Sequence, residues 1–159
     1  MELAQQVVDF LQSHNRTLAT AESCTGGRVA ALLTEAPGCG SCLNCGYVVY
    51  SPEAKKRLLG VRQMTIDTFG LTSEEITVEM ARGALQVSSA DTAVATTGVS
   101  GEQAMDGVLP GTVWFAWAYK VGNDVHVATH KERFFGDRQE VQLNSARFAL
   151  EGVMRHLPK

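Results

Sequence analysis

The chain has 159 residues, 45% hydrophobic and 19% charged, a size and balance suited to one domain, residues 1–159, with a single sizeable core. A net charge of −3 and a pI near 5.8, without a basic tract, argue against a nucleic-acid partner. Apolar runs are too short to span a bilayer, and Glu2, Gln5 and Gln6 break up any signal-like start, so a cytoplasmic protein without a membrane partner is expected.

Leu3, Val7, Val8, Phe10 and Leu11 recur at helical spacing and predict a helix over residues 2–14. A short apolar run predicts a strand over 17–21, and a second helix is expected over 27–35, ending before the breaker pair Pro37-Gly38. Between them lies Glu22-Ser23-Cys24-Thr25-Gly26-Gly27, a serine at a strand-to-helix turn followed by small residues that let a ligand approach the backbone. A helix start aims unpaired N–H groups at whatever lies above it. The turn can therefore bind an anion, support a nucleophile and its oxyanion, or carry an ordinary N-cap serine.

Cys39, Cys42 and Cys45 follow in a C-x2-C-x2-C run that resembles part of a zinc or iron–sulfur ligand set. Only Cys24 could supply a fourth thiolate and no histidine lies near in sequence, so the expectation is reduced thiols on a glycine-rich loop and no metal. A strand is predicted over 46–51. Ser51 then caps a helix that has Pro52 at its first position and stops at Gly60. Lys55 sits one turn into that helix. If its strand neighbours the first, the amine can reach Ser23 and act as a base once burial lowers its pKa; the alternative is an exposed lysine beside Lys56 and Arg57.

Thr72 and Glu75 form a predicted capping box, with Leu71 and Ile76 as a staple, opening a helix that runs to 89. Residues 91–98 read as a buried strand ending in a second glycine turn. Strands over 112–121 and 125–135 are joined by Gly122-Asn123-Asp124, and a last helix spans 137–156. Arg138 opposes the dipole at that helix start, a placement that suits a grip on phosphate or carboxylate or plain exposure to solvent. His14, His126, His130 and His156 pair with no motif, so a Ser-His-Asp triad is unsupported. The order of elements predicts a mixed, mostly parallel sheet covered on both faces, with ligands at the carboxyl ends of its strands. Three loops share that edge: 23–27, 50–55 and 97–101.

These blocks together resemble the CinA carboxy-terminal domain family, the pyridine-nucleotide amidohydrolases. The matching pieces are Ala21-Glu22-Ser23-Cys24-Thr25-Gly26-Gly27, Pro37-Gly38, Val48-Val49-Tyr50-Ser51 with Glu53-Ala54-Lys55, Ser73-Glu74-Glu75, Thr97-Gly98-Val99-Ser100-Gly101, Gly111-Thr112-Val113 and Gly136-Asp137-Arg138. The resemblance covers nearly the whole chain and implies an α/β/α sandwich that hydrolyses the carboxamide of nicotinamide mononucleotide without a cofactor. It implies Ser23 as nucleophile, Lys55 as its base, Tyr50 as a positioning hydroxyl and Arg138 as electrostatic support. Backbone N–H groups of Cys24, Thr25, Gly26 and Gly27 would hold the oxyanion, Thr97, Gly98 and Gly101 would line the nucleotide pocket, and a homo-oligomer is expected. Residues 102–109 depart from the family's usual glycine-rich loop, and Cys45 stands at a family glycine position. Two other readings compete: a paralogue that binds the nucleotide without turnover, and a thiol-linked metal or redox module.

Overall fold

The structure, a computed structural model, describes residues 2–101 and 107–158. Helix α1 (Glu2–Ser13) buries the periodic stripe Ala4, Val7, Val8 and Leu11. Strand β1 (Leu18–Glu22) then enters the centre of a five-stranded sheet of order β2-β1-β3-β4-β5. β2 (Leu43–Val48) and β3 (Thr92–Gly98) flank β1 in parallel. β4 (Thr112–Val121) runs antiparallel to β3, and β5 (Asp124–Arg133) returns antiparallel to β4. Only β4 opposes the common direction, which makes the sheet mixed and mostly parallel.

Alternation along the strands splits the core in two. One face carries bulk: Phe115, Trp117 and Tyr119 of β4 pack against α1, α2 (Arg28–Leu33) and α6 (Arg138–His156). There the Trp117 indole N–H donates to the Ala149 carbonyl at 2.8 Å, and the Tyr119 hydroxyl to that of Val153 at 2.9 Å, so two large polar-tipped rings are buried without an unpaired donor. The other face is a carpet of small side chains, Ala19, Ala21, Ala93, Ala95, Ala116 and Ala118. Such a surface lets α5 (Glu74–Val87) lie close through Ile76, Met80, Ala81 and Ala84. α3 (Pro52–Leu59) docks on α5 where Gly83 has no side chain; a Cβ at that position would strike the Leu59 carbonyl.

Several boundaries differ from expectation. β2 starts three residues before the predicted strand because Leu43 and Cys45 pair with Leu18 and Ala19 across a register shift. Tyr50 therefore lies beyond the strand instead of ending it. Helix α4 (Gln63–Phe69) was not anticipated; its seven residues are too few to show a period. Helix α5 is capped by Ser73, whose Oγ accepts from the Ile76 N–H at 3.3 Å, one residue later than the predicted Thr72–Glu75 box. A capping box exists instead at α6, between Asp137 and Glu140. Among the described residues, no helix is long and apolar enough to cross a membrane.

Candidate active site

The sharp turn after β1 depends on two glycines. Gly26 and Gly27 have φ of 60° and 98°, a region side chains rarely adopt, and they swing the chain from the sheet into α2. What fills the helix start is Glu22. This carboxylate, 1% exposed, points under α2 on the same face as Thr20. Its Oε1 accepts from the Thr25 hydroxyl at 2.6 Å and from the N–H groups of Gly27 and Val29 at 3.1 and 2.9 Å, while Oε2 accepts from Ala30 N–H at 3.1 Å. Thr25 ties the group to β3 through Thr96 Oγ1 at 2.9 Å. A buried charge held by four donors is stabilised where an unpaired one would be costly.

Two expectations change as a result. The N-terminus of α2 is not open to an outside anion, because Glu22 already holds it. The N-cap of α2 is Gly27, so Ser23 is not a capping serine. Gly26 N–H bonds the Ser23 carbonyl at 3.1 Å, Gly27 N–H is held by Glu22, and the Cys24 N–H lies against its own thiol, which leaves the Thr25 N–H as the one of this turn with no protein acceptor among the described residues.

Ser23 extends the β1–β3 ladder by one bond, its N–H donating to the Thr96 carbonyl at 3.1 Å, and its side chain departs on the face opposite Glu22. There it meets Lys55, whose Nζ donates to Ser23 Oγ at 2.9 Å and to the Tyr50 carbonyl at 2.9 Å. Lys55 is 2% exposed, although its neighbours Lys56 and Arg57 are exposed. Burial strips water from the ammonium and lowers its pKa from 10.5 to about 8. Only Cys24 opposes that shift. Its own thiol, pushed up to about 12 by burial first and by Glu22 in addition, is neutral wherever Lys55 titrates, so burial decides the outcome.

The pair opens onto a cavity of about 180 Å³ lined by Ser23, Cys24, Tyr50, Lys55, Phe69, Gly70, Leu71, Thr72, Thr97, Gly98, Val99 and Val108. Sequence reasoning missed the wall supplied by the α4–α5 connection, residues 69–72, along with Glu22. Thr97 Oγ1 donates to the Leu71 carbonyl at 3.0 Å and fastens that wall to β3. Tyr50 is 58% exposed at the rim, and it is its carbonyl that touches Lys55. Arg138 Nη1 donates to Ser100 Oγ at 3.4 Å, with the guanidinium beside Gly101, where a Cβ would come within 2.8 Å of Nη2. Thr25, Gly26, Gly27, Gly101 and Arg138 surround the site without lining the cavity. Residues 102–106 of the divergent loop lie outside the described residues.

The cysteine run divides between structural elements. Cys39 begins a single 3-10 turn (Cys39–Ser41), Cys42 is buried in the core below α1 and α2, and Cys45 lies in β2 packed toward α5. All four thiols are free, and among the described residues no three His, Cys, Asp or Glu side chains converge as a metal site.

Fold and site together define a three-layer α/β/α protein with a buried serine–lysine pair at the carboxyl edge of its sheet. The chain belongs to the CinA C-terminal domain family, whose profile matches residues 1–157. It is similar to the nicotinamide-nucleotide amidohydrolase PncC of Escherichia coli K12, at 41% identity over 95% of this chain and 90% of that protein. PncC of Enterobacter agglomerans is 38% identical over 99% of this chain and 95% of its own length. A crystal structure of a CinA superfamily protein from Klebsiella pneumoniae 700603 matches with a TM-score of 0.91 at 37% identity, covering 97% of this chain and 94% of that one.

Proposed function

We propose that the protein hydrolyses the carboxamide of nicotinamide mononucleotide to nicotinate mononucleotide and ammonia, with Ser23 as nucleophile and Lys55 as its base. The observation that carries this reading is the 2.9 Å contact between Ser23 Oγ and a lysine amine withdrawn from water. The amidohydrolase names of relatives near 40% identity support the reaction class.

In the neutral amine, one N–H stays on the Tyr50 carbonyl and the lone pair turns to the Ser23 hydroxyl. Lys55 takes that proton as Oγ attacks the carboxamide carbon, then returns it to the departing nitrogen, which leaves as ammonia. The acyl ester on Ser23 is hydrolysed by water, with Lys55 again as base. Oxyanion charge is assigned to the Cys24 and Thr25 N–H groups, a choice supported by the bonds that Gly26 N–H makes to the Ser23 carbonyl and Gly27 N–H makes to Glu22. The substrate's pyridinium charge disfavours an ammonium beside it and so favours the neutral base. Tyr50 and Phe69, both at the cavity wall, are aromatic residues suited to that cation. The cavity suits the ring and its carboxamide, while ribose and phosphate extend outward past Thr97, Gly98 and Gly101 toward Arg138.

The test is product analysis with nicotinamide mononucleotide. Nicotinate mononucleotide and ammonia in equal amounts, lost in Lys55→Ala, support the proposal. Thermal stabilisation by the nucleotide without any ammonia would overturn it in favour of a binding-only protein.

A further inference from the structure

Gln142 lies on α6, on the face of the sheet opposite Lys55, and is buried at 8% exposure. Its side-chain amide donates to the Cys24 carbonyl at 3.1 Å, a contact across 118 residues of sequence. Burying a long amide beside Val141, Ser145 and Ala146 costs rotamer entropy and desolvation, and an apolar residue would serve packing alone. The bond it makes falls on the Cys24–Thr25 peptide, one residue past the nucleophile.

The geometry of the turn gives that bond a direction. All peptide bonds among the described residues are trans, so each carbonyl and the N–H that follows it point in opposite senses. The Cys24 carbonyl is drawn toward α6; the Thr25 N–H, on the opposite edge of the same trans peptide, therefore faces away from α6. The preceding peptide is fixed in the same manner, with the Ser23 carbonyl accepting from Gly26 N–H at 3.1 Å. Both N–H groups next to the nucleophile are thus held from behind through their carbonyls, one by the turn itself and the other by Gln142. Glu22 completes the arrangement by consuming the neighbouring donors of Gly27, Val29 and Ala30.

We propose that Gln142 is a positioning residue that aims the Thr25 N–H at the developing oxyanion, acting from outside the cavity through the Cys24–Thr25 peptide. The proposal rests on the amidohydrolase reading above. A preorganised donor acts on the transition state more than on bound substrate, so its loss lowers kcat and spares KM.

The experiment compares wild type with Gln142→Met, which keeps length but cannot donate, and Gln142→Glu, which keeps shape but presents an acceptor to the carbonyl. Rates of ammonia release from nicotinamide mononucleotide are taken per mole of folded protein, and affinity for nicotinate mononucleotide is measured alongside. The expected result is a kcat reduced about 10- to 100-fold, with KM and product affinity within about twofold of wild type. If Gln142→Met does not fold, Gln142→Glu is read in its place. Unchanged kcat, or a loss appearing in KM and product affinity, overturns the role of Gln142. Absence of turnover in the wild type would instead overturn the amidohydrolase reading, so the two failures are distinguishable.

Discussion

Lys55→Met separates the catalytic role proposed for the lysine from its effect on the fold. In the native protein its pKa is lowered from 10.5 to about 8 by burial. The unfolded chain holds the proton up to about 10.5 and the folded chain only to about 8, so stability rises as pH climbs through that interval. Below it, the buried ammonium costs about 3 kcal/mol. Methionine removes that cost but also removes the bonds to Ser23 Oγ and the Tyr50 carbonyl, worth about 1 kcal/mol each. At neutral pH the variant should therefore be more stable by about 1 kcal/mol, a rise in Tm of about 2–4 °C for a chain of this size. Above about pH 10.5 the amine is neutral in both states, only the lost bonds remain, and the variant should be the less stable of the two. Urea unfolding of both proteins across this range reads the difference directly, since every other titrating group is shared. A Lys55→Met protein that is less stable at pH 7, or a gap that does not move between pH 8 and 10.5, would refute the reasoning from burial.

Glu22→Ala leaves the buried N–H of Val29 and the part-buried N–H groups of Gly27 and Ala30 without their acceptor and should cost about 3 kcal/mol; a loss under about 1 kcal/mol by denaturant unfolding would show that α2 does not depend on it. Gly83→Ala sets a methyl against the Leu59 carbonyl and should destabilise by about 1–3 kcal/mol while forcing α3 and Lys55 outward, visible as a kcat loss beyond the loss of folded protein. The Cys24 thiol, held at about 12, should resist maleimide at pH 8 in the native protein and react once denatured, which peptide mapping resolves; native labelling of Cys24 would contradict its burial.

Much of the site could be read from the sequence because it follows the alternation of strand and helix. The Ser23 turn, the strand before Lys55 and the third strand all fall at one sheet edge once parallel order is assumed. The burial of Lys55 was harder to see within Lys55-Lys56-Arg57, yet the residue lies four before Leu59, and the two share the inward face of α3. Glu22 carried a similar signal: it alternates with Ala21, and an acid on the buried side of a central strand needs donors, which the next helix start supplies. The α4–α5 wall left no period to detect, and the cap of α5 fell to Ser73 because its hydroxyl also reaches the Gly70 carbonyl at 2.8 Å. Gln142 could not be found from sequence at all, since its partner lies at the other end of the chain and only the packing of α6 over the Ser23 turn brings them together.

The central claim is that Ser23, activated by Lys55, attacks a carboxamide. Ammonia release from nicotinamide mononucleotide by wild type and Ser23→Ala, followed between about pH 6 and 10, tests it most directly. The account predicts wild-type turnover that rises through about pH 8 with the neutral fraction of Lys55, and none above background in Ser23→Ala. Equal release by Ser23→Ala, or no release by the wild type at any pH in that range, would contradict it.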